Sequence, residues 1–257
     1  MSARNKEMVL HFYEELFGRG NLAVIDEYLG DEYIQHNPHA PNGADALRGF
    51  VTGFRQRFPG LRHTIVHAIA EDDLVLLHSK AELAPGTVQG VADLFRVRDG
   101  KVVEHWDVLQ EMPETTAGGN DVFATLSAPG GPESSTAESK KVVTALFTEL
   151  AEGRDPTAWD RYAAEPYYEH NPTQPNGLAA AKAAFAAAFE NPHFSMGLKR
   201  VIAEGDQVAV HHDLKFAADG PGAAVIDIFR VRDGRVVEHW DIVQPIPATS
   251  ANDNTMF

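Results

Sequence analysis

Two aspartates and a histidine stand in a stretch of sequence that is otherwise typical of buried strands. The stretch spans residues 91–110, and within it Asp93 is followed by His105-Trp106-Asp107. An Asp99-Gly100 pair at its centre is a β-hairpin turn signal. Buried carboxyl groups are unfavourable unless they are paired or take part in chemistry. These side chains are therefore candidates for acid–base catalysis, in which one group removes a proton and another donates one.

The same pattern occurs a second time, 134 positions further along the chain. Asp93 corresponds to Asp227, and the His-Trp-Asp triplet returns as His239-Trp240-Asp241. The surrounding sequence repeats as well, because the half from about Ala3 to Pro113 recurs from about Ala137 to Pro247. Two long copies predict a duplicated domain and not a solenoid of short repeats.

The geometry of the turn decides whether the acidic groups converge. A three-residue loop at residues 98–100 places Asp93 opposite His105, with Asp107 one step along the same face. A two-residue turn divides the two carboxyl groups between opposite faces. We favour the three-residue loop because it collects both aspartates and the histidine on one face.

Composition excludes several classes of function. The 257 residues include no cysteine, which excludes disulfides, thiolate metal sites and cysteine nucleophiles. The formal net charge of −15 argues against non-specific binding to nucleic acids or anionic membranes. The first ten residues lack the apolar core of a signal peptide, and no stretch reaches transmembrane length. We therefore expect a soluble cytoplasmic protein.

The order of predicted elements is the same in both copies. In the first copy, apolar residues at helical spacing predict a helix that ends near Gly18 and a short second helix that ends near Leu29. An extended, turning segment with His36-Asn37-Pro38 follows. A third helix at 44–58 precedes the strands, which we predict at 61–71, at 73–83 and in the hairpin. The third helix of the second copy, at 178–189, is rich in alanine.

The predicted domain boundaries follow from the repeat and from local composition. We assign residues 1–113 to the first domain and residues 138–247 to the second. Between them, residues 114–137 are rich in Gly, Ser, Thr, Ala and Pro, which predicts a flexible linker. The tail at 248–257 is expected to fray. Helices followed by antiparallel strands predict the α+β class, with helices covering one face of a curved sheet.

The motif order resembles the SnoaL-like branch of the NTF2-like superfamily. The resemblance rests on two helices, a His-Asn-Pro…Pro-Asn-Gly segment, a third helix, and strands that carry Asp-x-Phe-Arg and His-Trp-Asp. It implies two tandem cone domains, each with three N-terminal helices on a mostly antiparallel sheet. It also implies that the two copies pair as an intramolecular pseudo-dimer, with Trp106 and Trp240 as candidate interface anchors and further association as an option.

The same resemblance implies an activity. SnoaL-like polyketide cyclases close a ring by intramolecular aldol condensation without a metal or organic cofactor, and related enzymes are isomerases or lyases. Their acid/base aspartate lies near the end of the last long strand, where this chain has Asp107 and Asp241. A second polar residue lies on the preceding strand, at Asp93 and Asp227. In related ketosteroid isomerases that aspartate is protonated and donates to an oxyanion.

One position departs from the isomerase pattern. The general base of ketosteroid isomerases is an aspartate that precedes a proline, and here those positions hold Asn37 and Asn171. We therefore favour aldol-type chemistry with Asp107 or Asp241 as the base. The predicted catalytic residues are Asp107, Asp241, Asp93, Asp227, His105 and His239. The predicted substrate-binding residues are His36, Asn37, His170, Asn171, His78 and His211. We expect a small carbonyl substrate and no cofactor.

Two other functions remain open from the sequence. Each copy repeats three histidines and a carboxylate, which are ligand types suited to zinc or iron(II), although the spacing matches no short metal motif. The histidine sets are His36, His78 and His105 in the first copy, and His170, His211 and His239 in the second. Alternatively, each cone binds a small apolar ligand without catalysis, because this fold hosts enzymes and non-enzymes alike.

Overall fold

The computed structural model describes residues 1–124 and 133–257, so part of the predicted linker lies outside the described residues. The chain forms two compact units. The first unit comprises Met1–Met112 and Ile246–Phe257, and the second comprises Pro113–Pro245. Each unit packs helices against a five-stranded sheet. The predicted α+β class and tandem duplication are confirmed.

The first unit contains three α-helices and a mixed sheet. The helices are α1 (Ser2–Tyr13), which continues into a π-helical turn at Glu14–Arg19, α2 (Ala23–Tyr28) and α3 (Ala44–Arg57). The strands are β1 (Leu29–Gln35), β2 (Arg62–Glu71), β3 (Leu74–Ala84), β4 (Thr87–Arg98) and β5 (Lys101–Glu111). Their order is β1-β5-β4-β3-β2, with β1 parallel to β5 and the other pairs antiparallel. The first helix ends two residues later than predicted, at left-handed Gly20.

The second unit repeats this arrangement. Its helices are α4 (Thr136–Ala151), α5 (Ala158–Tyr162) and α6 (Leu178–Glu190). Its strands are β6 (Ala163–Glu169), β7 (Ser195–Glu204), β8 (Gln207–Lys215), β9 (Ala223–Arg232) and β10 (Arg235–Pro245), in the order β6-β10-β9-β8-β7. Only strand β6 runs parallel to its neighbour in the described sheet.

The core of the first unit forms where the inner stripe of α1 and of its π-helical continuation meets the sheet. Val9, Phe12 and Leu16 recur at helical spacing and are almost fully buried. Phe12 meets Phe95 of β4 edge to face, with ring centres 6.3 Å apart. Each such side chain contributes about 1.5–3 kcal/mol when it is removed from water. This packing fixes the helices over the inner face of the sheet.

The predicted three-residue hairpin loop is wrong. Asp99 and Gly100 both have positive φ, 52° and 75°, and form a two-residue turn. An extra residue, Val103, then forms a β-bulge that shifts the register of β5 by one. Asp93 consequently lies directly opposite Asp107. The bulge restores the shared face that the sequence analysis attributed to a longer loop.

The second hairpin uses the same device. Asp233 and Gly234 form the turn, Val237 forms the bulge, and Asp227 lies opposite Asp241. A turn and a bulge that recur in both copies place an acidic pair on the inner face of each sheet.

The C-terminal tail, which we predicted to fray, is hydrogen-bonded to the first unit. The Ala251 N–H donates to the Pro38 carbonyl at 2.8 Å, within the first unit. The described part of the linker is also held, because the Ala117 N–H donates to the Pro172 carbonyl at 2.9 Å within the second unit. Across residues 1–124 and 133–257, the structure contains no helix with the length and apolar character needed to cross a membrane.

Candidate active site

A cavity lies between the helices and the sheet in each unit. Its volume is about 290 Å³ in the second unit and about 60 Å³ in the first. Most lining side chains are apolar. The polar lining residues from the strands and the following loop are Tyr33, Gln35, Asn37, His63, Gln89, Asp93, His105 and Asp107 in the first unit, and Tyr167, Glu169, Asn171, Gln174, His212, Asp227, His239 and Asp241 in the second.

One carboxylate in each cavity is held by a single amide. The Asn171 side-chain amide donates to Oδ2 of Asp241 at 2.6 Å, and Asn37 donates to Oδ2 of Asp107 at 2.5 Å. The other carboxylate oxygen, Oδ1, is buried and has no hydrogen-bond partner among the described residues in either unit. Each carboxyl group is thus fixed in orientation and keeps one oxygen available to a substrate.

Burial brings these carboxyl groups into the range of general bases. Loss of solvent raises the pKa of Asp241 to about 7, and the charges of Asp227 and Glu169 add to this rise against the opposing influence of His239 and Asn171. Burial likewise raises the pKa of Asp107 to about 6, and there the opposing groups are His105 and Asn37. A base with a pKa near the working pH is suited to proton transfer from carbon acids.

The raised pKa of Asp241 predicts a pH-dependent gain in stability when this group is removed. Its contribution to the fold is fully present below the unfolded-state pKa of about 4 and is lost as the pH rises through about 7. Asparagine does not titrate. The free energy of unfolding of Asp241→Asn should therefore gain on the wild type between pH 4 and pH 8 by a few kcal/mol, at about 1.4 kcal/mol for each pKa unit.

Urea denaturation of both proteins at pH 4, 6 and 8 measures this gain. Replacement of the exposed Asp219 by asparagine serves as a control for the substitution itself, because folding does not remove this side chain from water. A difference for Asp241→Asn that does not grow with pH would contradict the burial of an ionisable carboxyl at this position.

A histidine in the first unit bridges the second aspartate to an amide. Nε2 of His105 lies 2.9 Å from Oδ1 of Asp93, and Nδ1 lies 2.9 Å from Oε1 of Gln35. Burial alone lowers the pKa of His105, but the hydrogen bond to Asp93 and the charges of Asp107 and Asp93 outweigh it and raise the pKa. Oδ2 of Asp93 is buried without a hydrogen-bond partner among the described residues.

The second unit surrounds the equivalent aspartate with two histidines. Oδ1 of Asp227 lies 3.0 Å from His239 Nε2, and Oδ2 lies 2.8 Å from His212 Nε2. His239 Nδ1 contacts Oε1 of Glu169 at 2.9 Å. Burial raises the pKa of Asp227, but His212 and His239 lower it well below its usual range. Asp227 is therefore a fully engaged carboxylate, and not the protonated donor that the isomerase resemblance implied.

The family to which this chain belongs can be identified. The model of the SnoaL-like domain matches residues 9–105 and again residues 143–239, which together are well over half of the chain. The chain belongs to the SnoaL-like family. Both copies carry the family domain, as the repeated motifs indicated.

Solved structures give a weaker comparison. A protein from Acidithiobacillus ferrooxidans, proposed to be a polyketide cyclase, is 20% identical, with a TM-score of 0.39, covering 43% of this chain and 90% of that one. TsrD from Streptomyces laurentii is 23% identical, with a TM-score of 0.38 and coverages of 43% and 91%. An NTF2-like protein of unknown function from Mesorhizobium loti is 22% identical, with a TM-score of 0.40 and coverages of 44% and 96%. Among curated proteins, none matches the sequence.

Four of the predicted substrate-binding residues lie away from the cavities of the SnoaL-like units. His36 stacks on Trp106 with ring centres 4.8 Å apart, and its Nε2 lies 3.0 Å from Glu104. His170 stacks on Trp240 in the same way at 4.7 Å and contacts Glu238. The remaining two meet partners on β2 and β7: His78 Nδ1 lies 3.0 Å from His67 Nδ1, and His211 Nδ1 lies 3.3 Å from Arg200. Asn37 and Asn171 do line the cavities.

The structure does not gather the three histidines that suggested a metal site. His36, His78 and His105 belong to separate contact groups, although Asp93, His105 and Asp107 do offer ligand atoms within 4.8 Å of one another. The equivalent set in the second unit is Asp227, His239 and Asp241. There, both ring nitrogens of His239 and both oxygens of Asp227 already contact protein groups. The second set is thus arranged as an internal hydrogen-bond network.

Gln35 and Glu169 also belong to the site, although no sequence motif indicated them. Each accepts from the N–H of the asparagine two residues further on and from the ring of the histidine on β5 or β10, so each orients both groups. Alternation along β1 and β6 was the missed signal, because side chains two residues apart point to the same face. A strand prediction would have placed Gln35 and Asn37 together and His36 on the other face.

The second unit has a carboxylate, Glu169, where the first unit has the amide of Gln35. This difference predicts that the pKa of His239 depends on Glu169. Burial lowers the pKa of His239, and the charge of Glu169 is the largest influence that raises it again, to well above its usual value. Glu169→Gln copies the residue found at Gln35 and should lower the pKa of His239. A titration of the ring protons by NMR measures it. The reciprocal Gln35→Glu should raise the pKa of His105, and unchanged values in both variants would contradict this account.

Side chains of the third helix contribute to the difference in cavity size. Three residues of α3 that line the first cavity are large, and their counterparts on α6 are alanines that line the second cavity. The pairs are Leu47 and Ala181, Phe50 and Ala184, and Phe54 and Ala188. The alanines share one helix face, since they follow each other at spacings of three and four residues.

Proposed function

We propose that the second unit is the site of an acid/base enzyme that works without a cofactor on an apolar carbonyl compound. The observation that carries this proposal is the free Oδ1 of Asp241, buried at the wall of a cavity of about 290 Å³. Family membership supports a reaction of the cyclase or isomerase type. The departure at Asn171 supports aldol-type ring closure over steroid-type isomerisation.

In the proposed reaction, Oδ1 of Asp241 removes a proton from the carbon beside the substrate carbonyl. The electrons of the C–H bond form a C=C bond, and the carbonyl oxygen takes the negative charge. The resulting enolate carbon attacks a second carbonyl of the same molecule and forms a C–C bond. Protonated Asp241 then returns its proton to the new alkoxide, so the enzyme ends as it began. Each positioned acid or base contributes about 10²–10⁴ in rate.

Amide groups at the cavity wall are suited to stabilise the enolate oxygen. Asn171 uses one amide hydrogen for Asp241 and has a second one on the same nitrogen. Gln174 also lines this cavity and brings a carboxamide to a position where the first unit has Ala40. Donors already in place where negative charge develops lower the barrier most effectively, because they need no reorganisation.

The hydrogen bonds around Asp227 support the assignment of Asp241 as the group that gains and loses the proton. Asp227 stays ionised between His212 and His239, and its negative charge contributes to the raised pKa of Asp241. The two acidic groups therefore have widely separated pKa values. Such separation assigns one group as the proton carrier and the other as a fixed charge.

The narrow cavity of the first unit supports assigning turnover to the second. Ligand sites usually have volumes of about 300–1,000 Å³. The 290 Å³ cavity lies close to that range, whereas 60 Å³ accommodates only a few water molecules. Asp107 has the same orientation as Asp241 but faces far less space.

Hydrogen–deuterium exchange tests the proposal without knowledge of the natural substrate. The ketone 2-tetralone has two fused rings and acidic hydrogens beside its carbonyl, and NMR in D₂O follows their replacement. We expect the whole protein to accelerate the exchange, and 2-naphthol, a flat analogue of the enol, to inhibit it. Exchange no faster than in buffer with a heat-denatured sample would contradict an active base in this cavity.

Binding of apolar ligands without catalysis is the second candidate. The apolar lining of the large cavity favours it, since a hydrophobic hollow binds ring compounds whether or not a base is present. Fluorescence of 2-naphthol distinguishes the two functions when it is combined with the tetralone exchange measurement. Saturable binding of 2-naphthol together with absence of tetralone exchange would favour the binding protein.

A further inference from the structure

The sequence repeat extends beyond the predicted domain boundaries into two further segments. Residues 117–123 follow β5 but belong to the second unit, and residues 251–257 follow β10 but belong to the first. They are related by the same displacement of 134 positions as the aspartates, which pairs Ala117 with Ala251 and Asn120 with Asn254. Each copy thus contributes its C-terminal segment to the unit that carries the other copy's aspartates.

Both segments bind their unit through the same contacts. The Asn254 side-chain amide donates to the Gln35 carbonyl and to Oδ1 of Asn42, both at 2.9 Å. The Asn120 amide donates at 2.9 Å and 2.7 Å to the equivalent groups, the Glu169 carbonyl and Oδ1 of Asn176. A contact that recurs with its acceptors in both copies is a built feature of the fold.

A backbone carbonyl in each segment also fixes the histidine of the His-Asn-Pro loop. Nδ1 of His36 donates to the Thr255 carbonyl at 2.5 Å, and Nδ1 of His170 donates to the Asp121 carbonyl at 2.7 Å. The loop is therefore held immediately before the asparagine that anchors the catalytic carboxylate. In the first unit the Asn252 side chain adds a 2.8 Å bond to the Asn37 carbonyl itself.

We propose that residues 117–123 and 251–257 are positioning segments that hold the His-Asn-Pro loop and thereby orient the asparagine on the catalytic aspartate. Residues 117–123 act on Asn171 and Asp241 in the second unit. Residues 251–257 act on Asn37 and Asp107 in the first. Neither segment contacts a reacting atom, and the effect of each segment on its site is transmitted through the His-Asn-Pro loop.

The chemistry of the pair supplies a direct readout. The hydrogen bond from Asn171 favours the ionised form of Asp241 and lowers its pKa, against burial, which raises it. The titratable groups that share the cavity with Asp241 come from the strands, whereas the helices present apolar side chains; these groups are His239, Asp227, Glu169, Tyr167 and His212. Loosening of the loop should therefore raise the pKa of Asp241 further, with the surrounding charges unchanged.

The test compares Asn120→Ala with Asn254→Ala in the full chain, each as the control of the other. Titration of the carboxyl carbons by NMR reports Asp107 and Asp241 separately and does not require turnover. In Asn120→Ala the pKa of Asp241 should rise by about one unit while Asp107 is unchanged, since a hydrogen bond to a charged group contributes on the order of 1.5–3 kcal/mol. In Asn254→Ala the pattern should be reversed.

Two further results decide the proposal. A chain ending at Thr249 should reproduce the rise at Asp107 and leave Asp241 unchanged. Unchanged titration of both aspartates in all three variants, or equal shifts at both in one variant, would overturn a specific positioning role. The inference rests on the proposed function only for its effect on rate, so absence of tetralone exchange with the predicted titration shifts would reject the enzyme and retain the positioning segments.

Discussion

Replacement of Asp241 by asparagine is expected to slow the exchange of 2-tetralone hydrogens by a factor of about 10²–10⁴. Asparagine keeps the size of the side chain and can still accept the hydrogen bond from Asn171, but it cannot take a proton from carbon. Binding of 2-naphthol should change far less than the exchange rate, because the cavity keeps its volume. The measurement is the initial exchange rate by NMR at fixed protein and ketone concentrations.

The matched control is Asp107→Asn, which removes the equivalent carboxyl group from the narrow cavity. We expect this variant to retain most of the exchange activity, since its cavity of about 60 Å³ is too small for a two-ring ketone. The rate should also fall below about pH 7 in the wild type, as Asp241 becomes protonated. Equal losses in the two variants would place turnover in both units, and full activity in Asp241→Asn would remove this aspartate as the base.

The sequence predicts which side chains of the hairpin share the inner face, but it does not predict the turn and the bulge that place them there. Asp93 and Asp107 share a face because a two-residue turn is followed by a bulge at Val103. A three-residue loop gives the same parity, because each device adds one residue between the strands. Hydrophobic alternation specifies only which side chains share a face, so the predicted face was right although the predicted turn was wrong.

The histidines of the His-Asn-Pro segments were assigned to the wrong side for a related reason. Their role depends on β1 and β6, short parallel strands whose pairing partner is far away in the chain. Proline and glycine in the segment masked the two-residue alternation that sends Gln35 inward and His36 toward Trp106. Such non-local pairing leaves only a faint local signal.

Sequence patterns specify the size of each cavity even less than they specify the faces of the strands. The alanine-rich character of α6 was visible, but its meaning depends on which helix face meets the cavity. Exposed alanines at Ala183 and Ala187 on the same helix have no such role. Tertiary packing, and not composition, turns Ala184 and Ala188 into the wall of a pocket.

Larger side chains in that wall should therefore weaken the binding of two-ring ligands. The triple variant Ala181→Leu, Ala184→Phe and Ala188→Phe gives α6 the residues that narrow the first cavity. We expect the dissociation constant of 2-naphthol to rise at least tenfold, or about 1.4 kcal/mol, and tetralone exchange to fall in proportion. Fluorescence titration of 2-naphthol measures the binding.

The control for this variant is Ala183→Leu with Ala187→Leu, which adds apolar volume to the same helix on its exposed face. It should bind 2-naphthol as the wild type does, because these side chains stay outside the cavity. Retained binding in the filled variant would show that the ligand occupies another place. A loss of exchange with unchanged binding would mean that the alanines orient the substrate more than they admit it. The expected joint loss follows from volume, since a side chain and a ring cannot occupy the same space in a close-packed interior.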